Sequence, residues 1–169
     1  MHAAQSVAVV TGASQGIGRA TAVRLARDFS ALVLVARNRA HLEQTADAVR
    51  AAGARVLLLD TDLRRPESAQ AVVAGSMATF GRIDALLNIA GAVPQIDLFE
   101  MTDVQWDDGL ALKLHGARRL TIAAWPALKA VRGAVVLMSG NSALSPKAPY
   151  AAVGTINAAI VALAKAFSD

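Results

Sequence analysis

The chain contains no cysteine, which excludes disulfide staples, thiolate metal sites and cysteine nucleophiles. This absence fits a reducing compartment, and a cytoplasmic location is the expectation. Aromatic residues make up only 4% of the sequence, and Tyr150 is the single tyrosine, so any phenol chemistry has one candidate. Charged residues are also sparse, at 18%. The net charge of +4 comes from arginines and lysines scattered along the chain without a block of five, which argues against a nucleic-acid partner. His2, His41 and His115 form no motif, and no cluster of metal-ligating residues stands out, so no metal is expected. The opening Met1-His2-Ala3-Ala4-Gln5 lacks a basic segment followed by an apolar one. The most apolar long stretch, Tyr150 to Phe167, is interrupted by Gly154, Thr155, Asn157 and Lys165 and falls short of the ~20 apolar residues that span a bilayer. It reads as a buried helix, and no membrane partner is expected.

What is abundant is aliphatic: 54% of residues are hydrophobic, high enough to predict elements buried on more than one face. A length of 169 residues fits one domain, 1–169. Short apolar runs at Val7–Val10, Leu32–Ala36, Arg55–Leu59, Ala85–Asn88 and Val135–Ser139 alternate with helical patterns at Gly16–Phe29, Ala40–Ala52, Pro66–Phe80, Asp103–Ala130 and Tyr150–Phe167. That alternation predicts an α/β fold, a doubly wound parallel sheet in three α/β/α layers. Pro126 is expected to kink or shorten the fourth helix, and Ser139 to Pro149 reads as a loop. Ala- and Leu-rich faces at Leu110–Ala130 and Ala151–Ala164 predict a homodimer or homotetramer.

The first strand runs into Thr11-Gly12-Ala13-Ser14-Gln15-Gly16-Ile17-Gly18. A strand, a glycine-rich turn and a helix start aim backbone N–H groups and a positive helix end at one point, which suits a pyrophosphate. The spacing resembles the TGxxxGxG motif of the short-chain dehydrogenase/reductase family, whose fold is of the Rossmann type. The resemblance recurs at Asn88-Ile89-Ala90-Gly91, similar to that family's NNAG, and at Asp62-Leu63 after the third strand. It implies that Gly12, Ser14, Gln15, Gly16, Ile17 and Gly18 hold phosphates, that Asp62 and Leu63 meet the adenine ring, and that Asn88, Ala90 and Gly91 line the ribose side. An N-cap role ahead of Pro66 is an equal reading of Asp62. At the end of the second strand, Val35-Ala36-Arg37-Asn38-Arg39 offers no carboxylate for a ribose hydroxyl and an Arg37 fork for a 2′-phosphate. NADP(H) is therefore the expected cofactor over NAD(H).

The catalytic residues follow the family less closely. The resemblance implies that Tyr150, which follows Pro149 at the start of the last helix, transfers a proton. The family's lysine, four residues on, is replaced by Gly154. Leu112-Lys113-Leu114-His115-Gly116 resembles the family's x-N-L-x-G with Lys113 in the Asn position, so either Lys113 supplies the missing charge, with Gly154 leaving room for it, or it is a solvated charge on a long helix. Gly140 stands at the usual serine position, which leaves Ser139 or Ser142 to hold the substrate oxygen. Asn157, a turn beyond Gly154, reads as helix packing, with support of a water or the nicotinamide as the alternative.

The implied function is an NADP(H)-dependent oxidoreductase that interconverts a carbonyl and an alcohol on a small molecule. Gly154, Gly140 and Lys113 at three functional positions leave open a catalytically impaired NADP(H)-binding protein. The resemblance also implies strands and a substrate segment beyond Asp169, so a truncated structural subunit is a further alternative.

Overall fold

The computed structural model describes residues 5–169; residues 1–4, which include part of the opening segment, lie outside it. The strands are β1 (Val7–Thr11), β2 (Ala31–Ala36), β3 (Arg55–Asp60), β4 (Ala85–Asn88) and β5 (Ala134–Leu137). They form one parallel sheet in the order β3-β2-β1-β4-β5. The helices are α1 (Gly16–Leu25), α2 (Arg39–Ala51), α3 (Ser68–Phe80), α4 (Asp103–Gly109), α5 (Ala117–Val131) and α6 (Ala151–Ser168).

Covered faces explain the unbroken apolar strands. Along β2, Leu32 and Leu34 face one way, onto Ala22 and Ala26 of the α1 end and Leu42, Ala46 and Val49 of α2. Val33 and Val35 face the other, onto Ala69 and Val72 of α3 and Leu120, Ala124 and Leu128 of α5. The chain leaves β1 toward β2 and β3 on one side, and β4 and β5 lie on the other. The strand order therefore reverses between β1 and β4, and a crevice opens there at the carboxyl ends.

Two local expectations are corrected. The fourth helix is not uniform, because Leu110–Gly116 between α4 and α5 is a π-helical segment. Of the kink or shortening expected at Pro126, the shortening does not occur: α5 continues through it to Val131 and stops at Arg132, whose φ of 54° is left-handed. The segment Ala148–Ser168 is by length and composition apolar enough to cross a membrane, a test that the core helix of a soluble protein also passes. Here α6 buries Ala152, Gly154, Ile156, Asn157 and Ile160 on one face and exposes Val161, so it is only half the buried helix the sequence suggested.

Asp84 ties three strand starts together. Its carboxylate accepts from the Val7 N–H at 2.8 Å and from the Arg82 guanidinium at 2.6 and 2.9 Å, and its carbonyl accepts from Ala134 N–H at 2.9 Å. Burial pushes its carboxyl up, but the Arg82 and Val7 hydrogen bonds outweigh it and hold the group below its ordinary 3.8. A depressed carboxyl stabilises the fold above its unfolded value and loses that contribution as pH falls through the folded one. Asp84→Ala should therefore lower unfolding free energy by about 1–3 kcal/mol at neutral pH. Urea denaturation across pH should show the gap from wild type narrowing below about pH 4. A gap independent of pH would remove the charge from this account.

Candidate functional site

The crevice is built on a hydroxyl. Thr11, buried at the end of β1, accepts from the N–H groups of Ile89 and Ala90 at 2.9 and 3.0 Å and donates to Leu87 C=O at 3.3 Å. This draws the exit of β4 against the turn that follows β1. Gly12 sits in that contact with φ +66°, and a Cβ there would meet Ala90 Cα at 3.0 Å. A Cβ on Gly18, in the first turn of α1, would fall 2.2 Å from the Gly12 carbonyl oxygen, so the helix can start this close to the turn only without a side chain. The amino end of α1, with no acidic residue in its first turn, thus faces the crevice.

The resulting cleft has a volume of about 760 Å³. It gathers the turn residues Gly12, Ser14, Gln15, Gly16, Ile17 and Gly18 with Arg37, Asp62, Leu63, Ala90 and Gly91. His41, Leu112 and Met138 also line it, and no local motif marks them. Asn88 is the exception. Its side chain donates to Thr121 of α5 at 3.1 Å and it does not line the cleft, because β4 turns alternate side chains to opposite faces.

Two arginines that look equivalent in sequence differ here. Arg39 is engaged by Glu43 at 3.0 Å and Asp60 at 3.2 Å, which raise its pKa, whereas Arg37 has no carboxylate partner among the described residues and lines the cleft. Asp62 does not cap α3, which begins at Ser68 after Glu67. Its carboxylate accepts from the Arg64 backbone N–H at 3.1 Å and stays on the cleft wall. Arg64 reaches across to Asp108 of α4, and this hydrogen bond holds the Asp108 carboxyl below its ordinary value.

Behind Gly91 lies a polar cluster. Lys113, in the π segment, lays its stem on Gly91, where a Cβ would be 3.2 Å from Lys113 Cδ. Its ammonium donates to Asn157 Oδ1. Asn157 Nδ2 donates to Ser142 Oγ at 2.9 Å, and Ser139 Oγ donates to the Asn157 carbonyl at 2.9 Å. Burial pushes the Lys113 ammonium below its ordinary value, and no carboxylate pairs with it among the described residues. So Lys113, Ser139 and Ser142 meet, and Asn157, read from sequence as packing, is what joins them. Gly154 does not make room for Lys113; a Cβ there would strike Ser142 C=O at 2.9 Å and Pro146 Cβ at 3.0 Å, and the space for Lys113 comes from Gly91. Tyr150 is the residue before α6, partly exposed, and is not among the residues that line the cleft. No hydrogen bond joins it to Lys113 among the described residues.

Comparison with known proteins agrees with this architecture. A family model described as short chain dehydrogenase matches residues 6–169. The short-chain reductase protein NovJ of Streptomyces niveus is 40% identical over 119 residues, 70% of this chain and 45% of that protein. The structure of L-sorbose reductase from Gluconobacter frateurii, complexed with NADPH and L-sorbose, superposes with a TM-score of 0.92 at 32% identity over 99% of this chain and 64% of that one. NAD+-bound xylitol dehydrogenase gives a TM-score of 0.91 at 28% identity, over 96% and 64%. The chain spans about half the length of the curated relatives it matches. The chain belongs to the short-chain dehydrogenase family.

Proposed function

We propose that the protein binds NADP(H) and interconverts a carbonyl and an alcohol on a small molecule. The observation that carries this reading is a cleft lined by the glycine turn, the start of α1, Arg37 and Gly91, with the Lys113 stem packed on Gly91 and its ammonium joined through Asn157 to Ser142. The pyrophosphate would rest on the N–H groups of the turn and the amino end of α1. Asp62 and Leu63 form the wall for the adenine. When bound, the nicotinamide supplies or receives the hydride. The protein's part is to hold the carbonyl oxygen and move a proton, roles given to Ser142 and to Tyr150, the only phenol in the chain. L-sorbose reductase and xylitol dehydrogenase act on polyhydroxylated small molecules with different nicotinamide cofactors, so the preference for NADP(H) rests on Arg37 and not on kinship.

An NADP(H)-binding protein without turnover is the second reading. It is favoured by the Tyr150 side chain, which has no hydrogen-bonded cation among the described residues, and by Gly154 one helical turn along, which carries no charge.

Isothermal titration should find NADPH bound at least about tenfold tighter than NADH, since a guanidinium–phosphate contact is worth ~1.5–3 kcal/mol. Arg37→Ala should bring the two within about twofold. Equal affinities in the wild type would remove NADP(H) from the proposal.

Tyr150→Phe separates the two readings. Reduction of a panel of small aldehydes and ketones should fall by about a hundredfold with NADPH affinity retained. Wild-type protein that binds NADPH and turns over no member of the panel would establish the second reading instead.

A further inference from the structure

The cluster behind Gly91 has a direction. An ammonium carries only donors, so of the two ends of the Asn157 amide only Oδ1 can face Lys113, as it does. That turns Nδ2 toward Ser142, and the hydrogen bond at 2.9 Å uses a lone pair of Ser142 Oγ. A hydroxyl that accepts in this way keeps its own hydrogen for another acceptor. Ser139 has the opposite polarity, because its hydrogen is spent on the Asn157 carbonyl at 2.9 Å. The two serines near the site are therefore not interchangeable: only Ser142 has a hydrogen left to give.

The space around this chain of bonds is cut to fit it. A Cβ on Gly140 would lie 2.8 Å from Asn157 Nδ2, one on Gly91 would crowd the Lys113 stem at 3.2 Å, and one on Gly154 would strike Ser142 C=O at 2.9 Å. Three glycines from three separate parts of the chain thus clear the Lys113 stem, the Asn157 amide and the backbone of the loop that carries Ser142. Asn157 itself is 2% exposed, so neither end of its amide can exchange its partner for bulk water. Hydrogen bonds in series polarise one another, so the cation at Oδ1 makes Nδ2 a stronger donor and fixes the hydroxyl more firmly.

We propose that Asn157 is a positioning residue that converts the fixed ammonium of Lys113 into a fixed hydroxyl direction at Ser142, making Ser142, and not Ser139, the donor to the substrate's carbonyl oxygen. The inference rests on the oxidoreductase reading above. It gives Lys113 a role through Asn157 and Ser142 that requires no contact with Tyr150.

The discriminating variant is Asn157→Asp. It is nearly the same shape and keeps a partner for the ammonium, but both of its oxygens accept. Ser142 must then turn its hydrogen toward the carboxylate. With NADPH bound, kcat for a reducible carbonyl should fall about a hundredfold in Asn157→Asp and in Ser142→Ala, with NADPH affinity within twofold of wild type. The double variant should be no slower than Ser142→Ala alone, because both changes remove one interaction. Ser139→Ala should lose at least tenfold less than Ser142→Ala. Losses that multiply in the double variant, or a larger loss from Ser139→Ala, would overturn the inference and leave the oxidoreductase reading standing. Absence of turnover in the wild type would overturn that reading, and Ser142's role with it. The bond polarity has its own readout in the 15N-labelled protein. The Asn157 side-chain amide protons should shift on Ser142→Ala and on Lys113→Met, and an amide signal indifferent to Ser142→Ala would overturn the inference whatever the kinetics.

Discussion

One threonine hydroxyl sets the geometry on which the cleft depends. Two strands that run parallel and end side by side do not by themselves place the loops that follow them. Thr11 does so by accepting from two successive N–H groups after β4 while donating to the carbonyl before them. The loop carrying Ala90 and Gly91 is thereby drawn against Gly12, and the floor of the cleft is a contact between two backbones with no side chain between them. Gly18 then allows α1 to begin over that floor, and Gly91 opens its rear to Lys113. Losing the hydroxyl would leave the part-buried Ala90 N–H without its protein acceptor, a cost of about 1 kcal/mol. The cost to function would come from a displaced loop.

The electrostatics of the cleft are arranged by which charges are already engaged. Arg39, Arg64 and Arg82 are each held by carboxylates, so their charge is satisfied within the protein. Among the described residues Arg37 and Lys113 have no carboxylate partner; Arg37 lines the cleft, and Lys113 packs its stem on Gly91, which is part of the cleft wall. An anionic ligand with a phosphate near Arg37 would therefore find an uncommitted cation there, whereas the Lys113 charge is engaged by the Asn157 amide. Position in the hydrogen-bond network, more than net charge, distinguishes these five side chains.

The sheet and its order of elements were legible because both faces are covered, and covered parallel strands must be continuous aliphatic runs. The turn at Gly12–Gly18 was legible because its backbone conformation admits few residues other than glycine. Asn88 misled because its motif neighbours do line the cleft, yet strand alternation turns its own side chain to Thr121. Asn157 was missed for a different reason. On a helix wheel it is one polar residue on an apolar face, and nothing local reveals that a lysine forty-four positions earlier is its partner. The same long-range contact explains why Gly154 was given the wrong occupant. Its neighbour is the loop at Ser142 and Pro146, which sequence proximity to Tyr150 could not disclose.

The π segment at Leu110–Gly116 gives the rod between α4 and α5 a phase of its own. A π turn holds one more residue than the α turn it replaces, so everything beyond it is rotated relative to everything before it by about 100°. Thr102 and Gln105, which cap the start of α4, and Trp125, which stacks on Phe167 of α6 at its far end, belong to two different angular frames joined at Lys113. Removing a single residue from the segment would let the rod relax to a uniform α-helix. The outer surfaces could then keep either frame but not both, and Lys113 would lose its aim at Asn157. The length of this helix is therefore as much a functional parameter as the identity of any side chain upon it.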